Sequence, residues 1–177
     1  MFNNILYAQE VYIEDKDIYV RHNGRRYIVY RYEVDVGYDM KYYVLQYWPK
    51  KDSGEMPEGL VLVFDKDNNL IKEFRNTEYY PEVIFYDIDN DIKKELILFW
   101  HCGAHSTVVE VWKRKDDDFE KLFEKFTDKS VQFKIMDGVP TLAFKKEYPM
   151  STTNCNFPDK DFNFYKWDGE TFTKDEH

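Results

Sequence analysis

A mainly β fold, built as an antiparallel meander of hairpins with at most one or two short helices, is what the sequence predicts, and three observations predict it. Aromatic residues make up 19% of the chain, mostly Tyr and Phe, and such side chains favour pleated, half-buried surfaces. Short apolar or aromatic segments flank turns centred near Asp67, Asp89, Asp117, Asp137 and Asp168, the pattern of successive hairpins. Between these, Val83 to Tyr86 and Glu95 to Trp100 are apolar on both faces, which suits strands covered on two sides.

Taken in order, Asp17 to Val34 reads as a hairpin around Asn23-Gly24, a pair that accepts the positive φ of a tight turn. In its second strand Ile28, Tyr30, Tyr32 and Val34 alternate with Tyr27, Val29, Arg31 and Glu33, so one face is wetter and an outer strand is expected. Lys41 to Trp48 is a further strand, ended by Pro49. The polar loop that follows, with Pro57 and two glycines, makes residues 50–59 the candidate internal boundary of an otherwise single β-rich domain spanning 1–177. Leu60 to Phe64 and Leu70 to Phe74 then flank a turn with Asp65 and Asp67.

Phe119, Leu122, Phe123 and Phe126 recur at helical spacing behind an acidic run that suits a helix N-terminus. A strand competes with that helix, because Val108 to Arg114 needs a hydrogen-bonding neighbour. Asp137-Gly138 and Asp168-Gly169 are hairpin turns, and Tyr148 to Asp161 is a long irregular loop. A four-stranded unit takes ~40–50 residues, so the chain holds about four at most. A partial or small β-propeller-like arrangement, a β-barrel and a β-sandwich all fit that pattern.

The chemistry concentrates in Val83 to Trp112. Asp87, Asp89 and Asp91 stand at alternate positions and Glu95 four further on, so one turn can converge several carboxylate oxygens on a hard cation, calcium above all. This D-x-D-x-D spacing, with Glu95 in order behind it, resembles the acidic loop of the FG-GAP/VCBS-type bacterial repeat. Weaker likeness continues through Gly103-Ala104-His105, Val108 to Lys113 and Tyr165 to Gly169, about the C-terminal two thirds. The resemblance implies a propeller-blade meander whose acidic loop often holds calcium. Ile92 stands where that pattern has glycine, and a β-branched residue tolerates left-handed backbone poorly. Calcium is therefore expected to bind weakly or not at all, with the carboxylates capping their own backbone amides.

His101, Cys102 and His105 form the one His/Cys cluster. In an extended strand 101 and 105 share a face and 102 points away, so the three meet only if Gly103-Ala104 turns tightly. Cys102 and Cys155 are expected as free thiols, being too few for a disulfide scaffold and without paired zinc-ligand spacing. Tyr42, Tyr43, Tyr47, Trp48, Tyr79 and Tyr80 suit either a stacking platform for sugar rings or a protein hot spot, or, as the simpler reading, core and cross-strand packing; Tyr79, Tyr80 and Trp48 are the candidate binding residues.

A net charge of -9 argues against a nucleic-acid partner, which needs a basic patch. No segment approaches the ~20 apolar residues of a membrane helix. With neither a basic n-region nor an apolar run at its start, the chain as written is expected in the cytoplasm, or outside the cell if a leader precedes it. No Gly-rich phosphate loop, nucleophile elbow or H-E-x-x-H occurs. The leading expectation is a non-enzymatic module that binds a protein or glycan. The alternatives are an acidic inhibitor or immunity-type protein that caps a basic partner, and a hydrolase using His101, Cys102 and His105.

Overall fold

The computed structural model describes residues 11–14, 17–22, 25–34, 40–47, 53–67, 69–77, 79–102, 106–116, 118–146 and 161–176. They form three meander sheets. The first holds, in spatial and chain order, β1 (Val11–Glu14), β2 (Asp17–His22), β3 (Arg25–Val34), β4 (Lys41–Tyr47), β5 (Glu58–Phe64) and β6 (Leu70–Thr77). The second holds β7 (Tyr80–Tyr86), β8 (Glu95–Cys102), β9 (Ser106–Lys115) and β10 (Asp118–Thr127). The third holds β11 (Val131–Met136), β12 (Val139–Lys145), β13 (Phe162–Trp167) and β14 (Phe172–Lys174). Every neighbouring pair within a sheet is antiparallel. Among the described residues no sheet closes on itself, so the β-barrel alternative falls. No described helix is long and apolar enough to cross a membrane.

The second sheet is the middle layer. Leu96, Leu98 and Trp100 of β8 and Phe119 of β10 pack against Met40, Tyr42, Val44, Val61, Val63 and Phe74 of the first sheet. Ile97 and Phe99 of β8 and Val109 and Val111 of β9 pack instead against Leu142, Phe144 and Phe172 of the third. The period of two along a strand explains why neighbours in sequence serve different cores. It also explains why β8 is apolar throughout: both faces leave water.

Among the described residues three strand pairs carry a register shift, β3 with β4, β5 with β6 and β9 with β10; two of them bear on the expectations above. In β3 a register shift between Val29 and Arg31 doubles one position against β4. Tyr27 is fully buried, and β3 lies between β2 and β4, not at an outer position as its alternation suggests. In β10 the same device at Leu122, between Lys121 and Phe123, accounts for the helix-like spacing. Phe119 reaches the first core and Phe123 the second, and a bulge converts an interval of four into a change of face. The segment is strand. The loop over 50–59 joins β4 and β5, which pair from Lys41↔Phe64 to Tyr47↔Glu58 within one sheet.

One buried carboxylate pins the end of the first sheet. Glu58, 2% exposed, accepts hydrogen bonds from Arg25 at 2.9 Å, Arg75 at 2.7 Å and the Tyr27 hydroxyl. A buried carboxylate needs this company, since ionised groups leave water only when paired. Burial and the adjoining Glu58 push the Tyr27 hydroxyl up to about 12.

Ile97 and Leu98 are both fully buried, on opposite faces of β8. Truncating either to Ala is expected to cost ~2–5 kcal/mol in denaturant unfolding. Near-parental midpoints for both variants would remove β8 from the centre of the fold.

Candidate functional site

The β7–β8 turn, residues 87–94, brings its acidic side chains together. Asp87 gives both carboxylate oxygens to the backbone, accepting from the Asp91 amide at 3.1 Å and the Ile92 amide at 3.0 Å. Asp89 Oδ1 accepts from the Asp91 amide at 3.3 Å, Asp91 Oδ1 from the Lys93 amide at 2.8 Å and Glu95 Oε2 from the Ile88 amide at 2.8 Å. The carboxylates thus cap the turn they sit on. Asn90 and Ile92 both take left-handed backbone, φ 61° and 76°, and Ile92 is 90% exposed. The turn keeps its hydrogen bonds at the cost of strain in a β-branched residue.

Asp87, Asp89 and Glu95 offer oxygens within 4.8 Å of one another. Calcium takes six to eight oxygens at ~2.3–2.6 Å, whereas most of these are already committed to amides. The oxygens left over face an ammonium. Lys113 Nζ donates to Asp89 Oδ2 and, at 3.0 Å, to Asp91 Oδ2, and lies 3.7 Å from Glu95 Oε1. As arranged, these oxygens hold that ammonium. Although burial works against its charge, the bonds to Asp89 and Asp91 raise the Lys113 ammonium well above the usual lysine value. The bond from Lys113 holds the Asp91 carboxyl below the usual carboxylate range.

Glu95 is the buried member, 1% exposed, with Oε1 lacking a hydrogen-bond partner. Burial pushes its carboxyl up to about 7; the Ile88 amide opposes the rise, and the Asp89 charge adds to it.

At the opposite end of the same sheet lies the His/Cys segment. His101 is tied on both sides, with Nδ1 at 3.1 Å from Thr107 Oγ1 and Nε2 at 3.2 Å from Glu82 Oε2. It pairs across the ladder with Tyr80 and with Thr107. Cys102 is a free thiol and follows His101 in the strand, so its side chain points to the other face. The structure therefore does not join these two as a nucleophile and base. His105, Cys155 and Trp48 lie outside the described residues.

The two tyrosines separate as adjacent strand residues must. Tyr79 packs half-buried onto the core between the first and second sheets. That contact is close: a Cβ on Gly59 would lie 2.4 Å from the Tyr79 carbonyl oxygen and 2.7 Å from Pro81, so only glycine fits there. Tyr80 is 41% exposed, its ring 5.3 Å from the His101 ring. Tyr42 belongs to the core, and Tyr47 lies under the Arg25 guanidinium.

Lys113, Glu82 and Thr107 are functional neighbours that sequence reasoning missed. A hairpin centred on residue 104 sets Glu95 and Lys113 equally far from its turn, one step past the Leu96↔Trp112 pair. That register was the available signal. No protein-family model matches the chain, and no curated protein matches it.

Two outcomes follow from this geometry. Ile92→Gly relieves ~1–2 kcal/mol of left-handed strain and gives back part of it through a freer unfolded chain. A net gain of ~0.5–1 kcal/mol in urea unfolding is expected, and a loss would mean that the exposed Ile92 side chain contributes contacts of its own.

From its ordinary 4.5 up to about 7, Glu95 is protonated in the folded protein while ionised in the unfolded chain. This group alone therefore makes stability fall as pH rises across that window. Glu95→Gln has no such loss, so its unfolding midpoint should gain on the parent's between about pH 4.5 and pH 7. A difference that stays constant across the window would mean that Glu95 is ionised throughout it.

Proposed function

We propose that this protein is a non-enzymatic binding module that engages a glycan or protein ligand at the end of its middle sheet, through Tyr80, Glu82 and His101. The observation that supports this most is the exposed Tyr80 ring held beside His101. Its hydroxyphenyl face is available for stacking, and a carboxylate and an imidazole stand next to it for hydrogen bonds. Glu82, Tyr80 and His101 share one face of the sheet, because Tyr80 and Glu82 are two apart on β7 and His101 lies opposite Tyr80. His101 is held by Glu82 and Thr107, so the patch is ordered before a ligand arrives, which lowers the entropic cost of binding.

A second reading, an acidic cap for a basic partner, is favoured by where the turns fall. Lys72, near the start of β6, bonds to Asp118 at 2.6 Å, which brings the turn with Asp65 and Asp67 beside the β9–β10 turn. The Thr171 hydroxyl donates to the Leu122 carbonyl at 2.7 Å, which brings the turn with Asp168 to the same side. The acidic hairpin turns thus gather at the end opposite Tyr80 and His101, a distribution that attracts a cationic surface.

The two readings separate in one experiment. Amide spectra of the protein would be titrated with a panel of soluble oligosaccharides and, separately, with a short polylysine peptide. The first reading expects saccharide-induced shifts at Tyr80, Glu82 and His101, weakened about tenfold or more by Tyr80→Ala, as loss of a stacking aromatic implies. Shifts confined to the acidic turns and raised only by the peptide would replace it with the second.

A further inference from the structure

We propose that Lys113 is the resident cation of the β7–β8 turn: its ammonium holds the place in which the carboxylates would otherwise gather a divalent ion, so the turn is locked without metal. Removing that ammonium would convert the turn into a divalent-cation site. Asp89, Asp91 and Glu95 each give one oxygen to a turn amide and keep one, and all three remaining oxygens face Lys113 Nζ. An ammonium carries three donors and no acceptor, so it matches a set of three oxygens. A calcium ion in the same place would need water or further oxygens beside these three.

Placement supports the assignment independently. Lys113 stands on β9, one ladder step beyond the Leu96↔Trp112 pair and so beside Glu95. Its side chain is fixed by the sheet and does not reach in from a loose loop. Glu95 Oε1 is the second pointer: it is fully buried, aimed into the cluster, and lacks a hydrogen bond. Lys113 Nζ stands 3.7 Å from it, too far to complete a hydrogen bond. With the ammonium gone, the part-buried Asp89 and the exposed Asp91 carboxylates would face each other and the buried Glu95 carboxyl without a counter-charge, an unfavourable arrangement. A divalent ion supplemented by water is the smallest addition that relieves it.

The test is Lys113→Met, which keeps the apolar stem and deletes the charge, compared with the parent by calcium titration calorimetry and by thermal unfolding in chelator and in excess calcium. The parent should give no binding heat and the same midpoint in both buffers. The variant should unfold several degrees lower in chelator, recover in calcium and show a binding isotherm abolished by Asp89→Asn. Calcium binding by the parent would overturn the proposal, and so would a folded variant indifferent to calcium.

Should Lys113→Met not fold in either buffer, the parent decides by lysine side-chain nitrogen NMR, with the Lys113 signal assigned from Lys113→Arg. A slowly exchanging ammonium unchanged by calcium supports the assignment. A signal that calcium displaces refutes it.

Discussion

Burial of β8 on both faces is the constraint from which the remaining architecture follows. A strand whose neighbours in sequence alternately face two cores must lie in a middle layer, and each core then needs a sheet of its own. Leu96, Leu98 and Trp100 draw in the first sheet, and Ile97 and Phe99 draw in the third. Removing that much apolar surface from water is the largest favourable term in the fold. It also fixes register, because a slip of one residue would exchange the two cores' side chains. The ends of β8 are the places where this apolar covering runs out. Glu95 lies at one end and His101 at the other, and these are where polar groups meet.

The buried carboxylates of this acidic protein each have a cation beside them. Glu58 is held by Arg25 and Arg75. Glu110 accepts from the indoles of Trp100 and Trp112 and from Lys121, whose ammonium also lies over the Trp112 ring. Asp89, Asp91 and Glu95 share Lys113. In each case a carboxylate that has left water takes a fixed partner, because the desolvation cost would otherwise exceed any gain from packing. The acidic surplus is therefore concentrated in the turns, where Asp side chains bond their own amides, as at Asp65, Asp87 and Asp168. Turn geometry and surface charge have one origin here.

Bulges do the remaining shaping. In β3 and in β10 one extra residue interrupts the register with the neighbouring strand. The second lets β10, at the edge of the middle sheet, contribute Phe119 to one core and Phe123 to the other. A bulge also makes an edge strand a poorer template for pairing with another chain.

The sequence by itself determined the strand-rich class, the hairpin turns near Asp67, Asp89, Asp137 and Asp168, and the two-sided burial of Ile97 and Leu98. These are local properties: turn chemistry resides in two to five residues, and the period of two is visible wherever alternation is unbroken. It also placed Asp87, Asp89, Asp91 and Glu95 in one turn and Tyr80 on the opposite face from Tyr79. Only the tertiary structure decided that 119–126 is a strand, since a bulge and a helical turn leave the same apolar spacing. Only it set Tyr27 inside and brought His101 between Glu82 and Thr107. Only it put Lys113 among the carboxylates, because that meeting depends on the register of β8 against β9 across residue 104 and on the sheets that exclude water from both.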